Sequence, residues 1–172
     1  MHIGMRIHHL LSLTEGRLTP INRHLKPGGW IELLDFSCCP SSDDGSLTPD
    51  NPMVKFWDVT RDIFLRLYGF DFTAGKKLAT QLQESGFVNI HQSIHHVPFG
   101  EWPKDKHLRT IGAHGREVLE DLLLAMAARP FSEAGMEKTG TDKLLQGAQS
   151  VLRDKRVHAY FPAYVVWAQK PI

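Results

Sequence analysis

The chain has 172 residues, of which 42% are hydrophobic and 23% are charged, and its formal net charge is +1. This length suits one domain that buries roughly 70% of its unfolded surface, so we expect a single domain over residues 1–172. The balanced charge gives no case for nucleic acid or an anionic membrane as a partner.

No apolar run approaches the ~18 residues that span a bilayer, and the first residues do not resemble a signal peptide. The two cysteines, Cys38 and Cys39, are adjacent and cannot link distant segments of the chain. Both observations favour a reducing intracellular compartment. We expect a cytoplasmic protein with no membrane partner, and the nucleus is the alternative.

The first residues allow two interpretations. Residues 1–6 are either the end of a strand or a frayed terminus. From Ile7 to Leu25 the apolar residues fall at helical spacing. Gly16 and Pro20 interrupt this pattern, which predicts a broken helix or two short ones.

The most informative stretch runs from Leu25 to Phe36. Pro27 ends the helix because it has no amide proton and crowds the preceding turn. Gly28 and Gly29 then allow a sharp reversal of the chain. Trp30–Phe36 is almost continuously apolar, which predicts a strand covered on both faces.

The remaining pattern alternates helices and strands. It predicts a loop at 37–52, helices at 53–68 and 73–86, a strand at 88–97, a helix from the cap Asp105 to 128, a loop at 131–140, a helix at 141–155 and a strand at 164–168. Gly112 and Gly115 are expected to bend the helix that contains them. Pro162 suits the entrance of the last strand but not its middle.

A helix that ends in Leu-Lys-Pro-Gly-Gly and enters a strand resembles the fifth-strand region of class I S-adenosylmethionine-dependent methyltransferases. Ser42–Leu47, Pro98–Asp105 and the closing Tyr164–Pro171 strand resemble the fungal methyltransferase-like proteins of secondary metabolism, including the velvet-associated regulator type. The resemblance covers nearly the whole chain but only the second half of such an enzyme. It implies an α/β fold: a partial Rossmann-like class I methyltransferase sheet with about three strands, mixed, and helices on both faces.

The family's cofactor is S-adenosylmethionine. Binding it requires a glycine-rich turn after the first strand and an acidic residue after the second. No Gly-x-Gly occurs in the chain, and Gly28-Gly29 follows its helix instead of preceding it. We therefore expect no cofactor to be bound by this chain alone.

The site residues are predicted on the substrate side. His8 and His9 are candidate general acids or bases because imidazole titrates near neutral pH. Asp35 is a third catalytic candidate, near the carboxyl end of the main strand, although aspartate also commonly begins a turn. The resemblance places Arg6, Trp57 and Trp102 around a small-molecule substrate.

Each of these predictions has a structural alternative. Both tryptophans are equally well explained as core residues, and most surface histidines are not catalytic. His91 and His95 lie about 13 Å apart at strand rise, too far to chelate one metal ion. We expect no metal site.

The strand Trp30–Phe36 needs a neighbour on its open edge. Either residues 1–6 or another chain must cover it, so we predict a homodimer or a partner protein along this edge.

Three functions are consistent with these features. The first is a truncated methyltransferase-family protein of fungal small-molecule biosynthesis, in which methyl transfer needs a partner. The second is an isomerase or cyclase that works without S-adenosylmethionine, through histidine and aspartate acid–base catalysis. The third is a non-catalytic binding subunit or regulator. Whether the chain is an enzyme is left open by the sequence.

Overall fold

In a computed structural model, the backbone is described for residues 4–8 and the whole chain for residues 24–172. The described residues form two compact units. The first contains the residues up to Ser37, with Phe72–His95 and Ala163–Ile172, and the second contains Cys38–Asp71 and His96–Pro162. Whether the units together form the predicted single domain stays a prediction.

The sheet confirms the predicted mixed α/β class. Its four strands are β1 (Gly4–His8), β2 (Trp30–Phe36), β3 (Val88–Pro98) and β4 (Tyr160–Gln169), in the order β1-β2-β4-β3. Strand β1 pairs with β2 in parallel and β4 pairs with β2 in antiparallel orientation. The sheet is therefore mixed, as expected from the resemblance, and it has four strands where about three were predicted.

Of the two interpretations of the first residues, the structure supports a strand, because Gly4–His8 forms β1. Gly4 pairs with Trp30 and His8 pairs with Leu34. Ile7 and His8 therefore belong to a strand and not to the predicted helix, the rest of which lies mostly outside the described residues. Strand β1 occupies the edge of β2 along which a homodimer or partner protein is predicted. Whether the chain forms a dimer or binds a partner protein stays a prediction.

The core of the first unit lies on one face of the sheet. Alternate residues of β2 are buried, among them Ile31 and Leu33, and the residues between them are half-buried. The sequence predicted a strand covered on both faces, but in the structure one face of β2 is buried and the other is only half-buried. A 3-10 helix (Ala74–Lys77) and a short α-helix replace the single helix predicted here, and the latter contributes Leu78 and Leu82 to this core.

Four helices build the second unit. We label the α-helices of the described residues α1 (Pro52–Tyr68), α2 (Leu78–Glu84, in the first unit), α3 (Lys106–Ala127), α4 (Arg129–Glu133) and α5 (Lys138–Arg153). The predicted cap is confirmed: Asp105 Oδ1 accepts a hydrogen bond from the amide of Leu108 at 2.9 Å. The predicted loop over 131–140 is confirmed only at 134–137, because α4 extends to Glu133 and α5 begins at Lys138. Helix α4 starts with Arg129-Pro130, and proline is tolerated in a first helical turn.

Two further expectations differ from the structure. Helix α3 runs without interruption through Gly112 and Gly115, and both glycines serve close packing. Strand β4 begins at Tyr160, so Pro162 lies inside it. The ladder to β2 starts only at Ala163, and the missing amide of Pro162 therefore costs no bond to β2.

Among residues 24–172, no helix is long and apolar enough to cross a membrane.

Candidate functional site

The second unit contains a cavity of about 360 Å³. Three segments line it: the turn after β3, one side of α3, and the chain from the end of α5 to the start of β4. The lining residues are Phe99, Gly100, Glu101, Trp102, Arg109, Arg116, Val151, Leu152, Arg153, Asp154, Lys155, Val157 and His158. Aromatic, aliphatic and charged side chains thus share one concave surface.

Local backbone geometry positions the first wall of the cavity. Gly100 has a φ of 120°, a conformation that side chains rarely allow. This turn directs the chain to Trp102, whose Nε1 donates to the carbonyl of Ala159 at 3.1 Å. The indole is therefore held in place by its own polar atom while its ring remains half-buried.

The ring of Trp102 stacks on the imidazole of His158. Their centroids lie 5.4 Å apart and the ring planes are inclined by 27°. His158 Nδ1 lies 2.6 Å from Asp44 Oδ2. The carboxylate orients the imidazole through Nδ1, so Nε2 is the ring nitrogen that remains for other chemistry.

Asp44 is itself fixed by its own loop. Its Oδ1 accepts a hydrogen bond from the amide of Ser46 at 3.0 Å, and Ser46 Oγ accepts one from the amide of His158 at 2.8 Å. Hydrogen bonds from Ser46, joined by the bond and charge of His158, lower the pKa of Asp44 from 3.8 to about 2. Asp44 is therefore a carboxylate at neutral pH, which is the form that accepts a bond from imidazole.

A second contact fastens the same loop. Tyr160 donates from its hydroxyl to Asp43 Oδ1 at 2.6 Å, and its ring stacks on His96 with centroids 3.8 Å apart. His96 Nδ1 lies 3.5 Å from Asp43 Oδ2. Two neighbouring aspartates thus attach the loop to residues 158 and 160, which explains why His158 has a defined orientation.

Positive charge predominates in the cavity lining, with four Arg or Lys side chains against two carboxylates. Glu101 is paired with Arg116 at 3.1 Å. Asp154 accepts two hydrogen bonds from Arg156 at 2.8 and 2.9 Å, which lower the pKa of Asp154 to about 2. Both carboxylates are thus already engaged by arginines.

Of the residues predicted for the site, one lines this cavity: Trp102. Trp57 is fully buried in the apolar cluster of the second unit, where its ring packs edge-on against Phe161 with centroids 5.3 Å apart. That placement corresponds to the core alternative. Its predicted contact with substrate stays a prediction.

The other predicted residues belong to the first unit. Asp35 is buried in β2, and its Oδ1 accepts from the amide of Phe36 at 2.8 Å. His8 ends β1 and pairs with Leu34, so it lies beside Asp35 at the carboxyl ends of adjacent strands. Arg6 lies two residues earlier in β1, opposite Glu32. His9 lies outside the described residues, and the catalytic or binding roles of these residues stay predictions.

Sequence analysis did not single out Asp44, His158 or Arg109. Asp44 lies in the Ser42–Leu47 motif that carries the resemblance, which was a usable signal. His158 stands 114 positions away from it, and no local pattern marks the histidine as its partner. Only the fold brings the two together.

Two features of the described residues bear on a metal ion and on the family cofactor. Among them, no group of three or more His, Cys, Asp or Glu residues is arranged to hold a metal ion. The turn at Gly28-Gly29 is closed by β4: the amide of Gly28 donates to the carbonyl of Lys170 at 3.0 Å, and the amide of Lys170 donates to the carbonyl of Gly29 at 2.9 Å. These hydrogen bonds occupy the backbone of the turn, which is therefore not available to approach an adenosyl group.

Comparison with known proteins found no matching family model. It did find relatives among curated proteins. "Probable methyltransferase tdiE" of Emericella nidulans is 30% identical over 148 residues, which cover 86% of this chain and 46% of the relative. "Secondary metabolism regulator LAE1" of Cochliobolus heterostrophus is 29% identical over 154 residues, covering 88% and 50%.

A similar match exists to "Protein-methionine methyltransferase laeA" of Emericella nidulans, with 25% identity over 153 residues. Among solved structures, a Haemonchus contortus phosphoethanolamine N-methyltransferase 2 in complex with phosphomonomethylethanolamine and S-adenosylhomocysteine aligns with a TM-score of 0.46 and 15% identity, covering 98% of this chain and 33% of that one.

The chain spans about half the length of the first two of these curated relatives. The alignments cover most of this chain and agree with the resemblance seen in its motifs. The chain is therefore similar, over most of its own length, to fungal methyltransferase-like proteins of secondary metabolism.

Proposed function

We propose that this chain is a methyltransferase-family protein of fungal small-molecule biosynthesis that binds a substrate in the cavity of its second unit. Methyl transfer then requires a partner that supplies the adenosyl site. The observation that carries the proposal is the oriented imidazole of His158, held by Asp44 and stacked on Trp102 at the wall of that cavity.

The size and lining of the cavity support a small-molecule substrate. Its volume of about 360 Å³ lies in the range of roughly 300–1,000 Å³ that is usual for small-molecule sites. Trp102 and Phe99 provide apolar walls, and a few polar groups are fixed among them. Sites of this composition hold the apolar body of a ligand and orient its polar end.

The need for a partner is supported by the turn at Gly28-Gly29. Its backbone hydrogen bonds to Lys170 hold it against β4, and no Gly-x-Gly occurs elsewhere in the chain. The nucleotide-binding fold uses such glycines so that backbone can approach the cofactor closely. A separate chain that carries them would complete the enzyme.

A complementation assay tests this proposal. The chain is mixed with the portion of the tdiE protein that lies outside the alignment, and transfer of isotope-labelled methyl groups from S-adenosylmethionine into small-molecule extracts is measured. We expect labelled product from the mixture and none from either component alone. Labelled product from this chain alone would contradict the need for a partner, and no product from the mixture would contradict methyl transfer.

A second function is favoured by the Asp44–His158 pair itself. An imidazole that is oriented by a carboxylate serves as a general acid or base, and acid–base isomerisation or cyclisation needs no methyl donor. The two functions differ in their dependence on S-adenosylmethionine. Substrate turnover that persists without it and is lost in His158→Gln would favour the isomerase or cyclase. Ligand binding without turnover would favour a binding subunit.

A further inference from the structure

We propose that the cavity of the second unit selects a planar carboxylic acid, with its flat apolar body beside Trp102 and His158 and its carboxylate directed to Arg109. This inference names the substrate class of the small-molecule site and rests on the proposed function for that site. It concerns binding only, so it is tested separately from methyl transfer.

Arg109 is the best-positioned cation in the lining. Its Nε donates to the carbonyl of Pro103 at 3.1 Å and its Nη2 donates to the carbonyl of Lys104 at 3.2 Å. These carbonyls fix the guanidinium group but do not neutralise it, and its other N–H groups remain to donate. Among the described residues, no carboxylate lies within ion-pair distance of Arg109.

The remaining charged side chains of the cavity lining leave it with an excess of positive charge. Arg116 is matched by Glu101 at 3.1 Å, whereas Arg153 lies 4.0 Å from Glu120. Lys155 is exposed and also lines the cavity. An anion entering the cavity therefore meets Arg109, Arg153 and Lys155 with no free carboxylate to repel it.

A carboxylate is the anion that best suits this arrangement. Guanidinium presents a planar fork of donors that matches the two oxygens of a carboxylate. The neighbouring wall is aromatic, because Trp102 and His158 both line the cavity and hold one another in a stack with 27° between their planes. A planar ring can extend this aromatic stack while its acidic substituent reaches the arginine, and a cavity of about 360 Å³ limits the ligand to a small molecule.

The experiment is isothermal titration calorimetry of the full chain with 2-naphthoate as the probe and 2-naphthylmethanol as its uncharged counterpart. We expect 2-naphthoate to bind at a single site at least about tenfold more tightly than the alcohol, the factor given by one charge-assisted hydrogen bond. Equal affinity for the two probes, or binding of neither, would overturn the proposal.

Variants locate the site. Arg109→Gln is expected to weaken 2-naphthoate binding about tenfold or more and to leave binding of the alcohol unchanged. Arg66→Gln, which removes the same charge from an exposed position at the end of α1, is the matched control and is expected to change neither. Trp102→Leu is expected to weaken binding of both probes because it removes an aromatic ring from the cavity lining.

The loss of hydrogen bonds to Pro103 and Lys104 could disturb the fold of Arg109→Gln. The pair Arg153→Gln and Lys155→Gln therefore provides a second test, since both side chains are exposed. We expect each to weaken 2-naphthoate by a smaller factor than Arg109→Gln. Binding that is unaffected by all three substitutions would overturn the proposal, whatever the outcome of the complementation assay.

Discussion

The amide of Gly100 donates a hydrogen bond to the carbonyl of Gly112 at 2.8 Å. The turn after β3 thus lies directly against helix α3, closer than any side chain would permit. A Cβ atom at position 112 would lie 2.0 Å from the carbonyl oxygen of Gly100, and one at Gly115 would lie 2.7 Å from that of Pro98. Since Gly100 lines the cavity, this contact sets the position of the cavity wall.

Gly112→Ala is expected to lower the free energy of unfolding by about 3 kcal/mol, because the backbone at Gly100 must move to accept the methyl group. Gly140→Ala is the matched control. It also lies in a helix, and no atom lies within 4 Å of its would-be Cβ. It is expected to raise stability by about 0.5 kcal/mol through helix propensity. Urea denaturation measures the free energy of unfolding of both variants. An equal loss of stability in Gly140→Ala and Gly112→Ala would contradict the close packing assigned to Gly112.

Asp44→Asn is expected to lower the thermal midpoint at neutral pH, and the difference from the unsubstituted protein is expected to shrink as the solution is acidified. The pKa of Asp44 is lowered to about 2 in the folded protein from an ordinary 3.8. A lowered pKa contributes stability that is fully present above the ordinary value and is lost as pH falls toward the folded value. The difference should therefore diminish between about pH 4 and pH 2.

Asp50→Asn is the control for this measurement. Asp50 lies in the same loop and forms an exposed ion pair with Lys55 at 3.0 Å, and exposed pairs contribute little. We expect a small effect from this substitution at neutral pH. A midpoint difference for Asp44→Asn that stays constant down to pH 2 would contradict the assigned hydrogen bonds.

Trp57→Ala is expected to lower the free energy of unfolding by about 3–5 kcal/mol, as for other large buried aromatic residues. Trp57 is fully buried, next to Phe56 and Phe161. Trp102→Ala is expected to cost less because its ring is half-buried. Chemical denaturation gives the free energy of unfolding of the two variants. A greater loss of stability in Trp102→Ala than in Trp57→Ala would contradict the assignment of Trp57 to the core.

Much of the fold was predictable because it is encoded locally. The strand Trp30–Phe36 was predicted at its exact bounds from a Pro-Gly-Gly turn and an apolar run. The cap at Asp105 was predicted for the same reason, since a capping side chain bonds to an amide three residues away. Helix α4 was missed because its last residues were predicted as part of the loop at 131–140, although Pro130 suits a first turn where no amide is needed.

The site was less predictable because it depends on long-range contacts. Nothing near His158 indicates a carboxylate partner, which lies in a loop more than a hundred residues earlier. Gly112 and Gly115 were expected to bend their helix because glycine has a low intrinsic helix propensity. That propensity reflects the conformational freedom of the backbone and takes no account of packing. Their role depends on a second segment, Pro98–Gly100, whose approach the local sequence does not encode.

The most direct test of the central claim is calorimetric titration of S-adenosylmethionine into the chain alone. Hydrogen bonds hold Gly28 and Gly29 against Lys170, and the chain contains no Gly-x-Gly. Both observations predict no saturable heat of binding. A saturable isotherm with one molecule of S-adenosylmethionine bound per chain would contradict the claim that methyl transfer requires a partner.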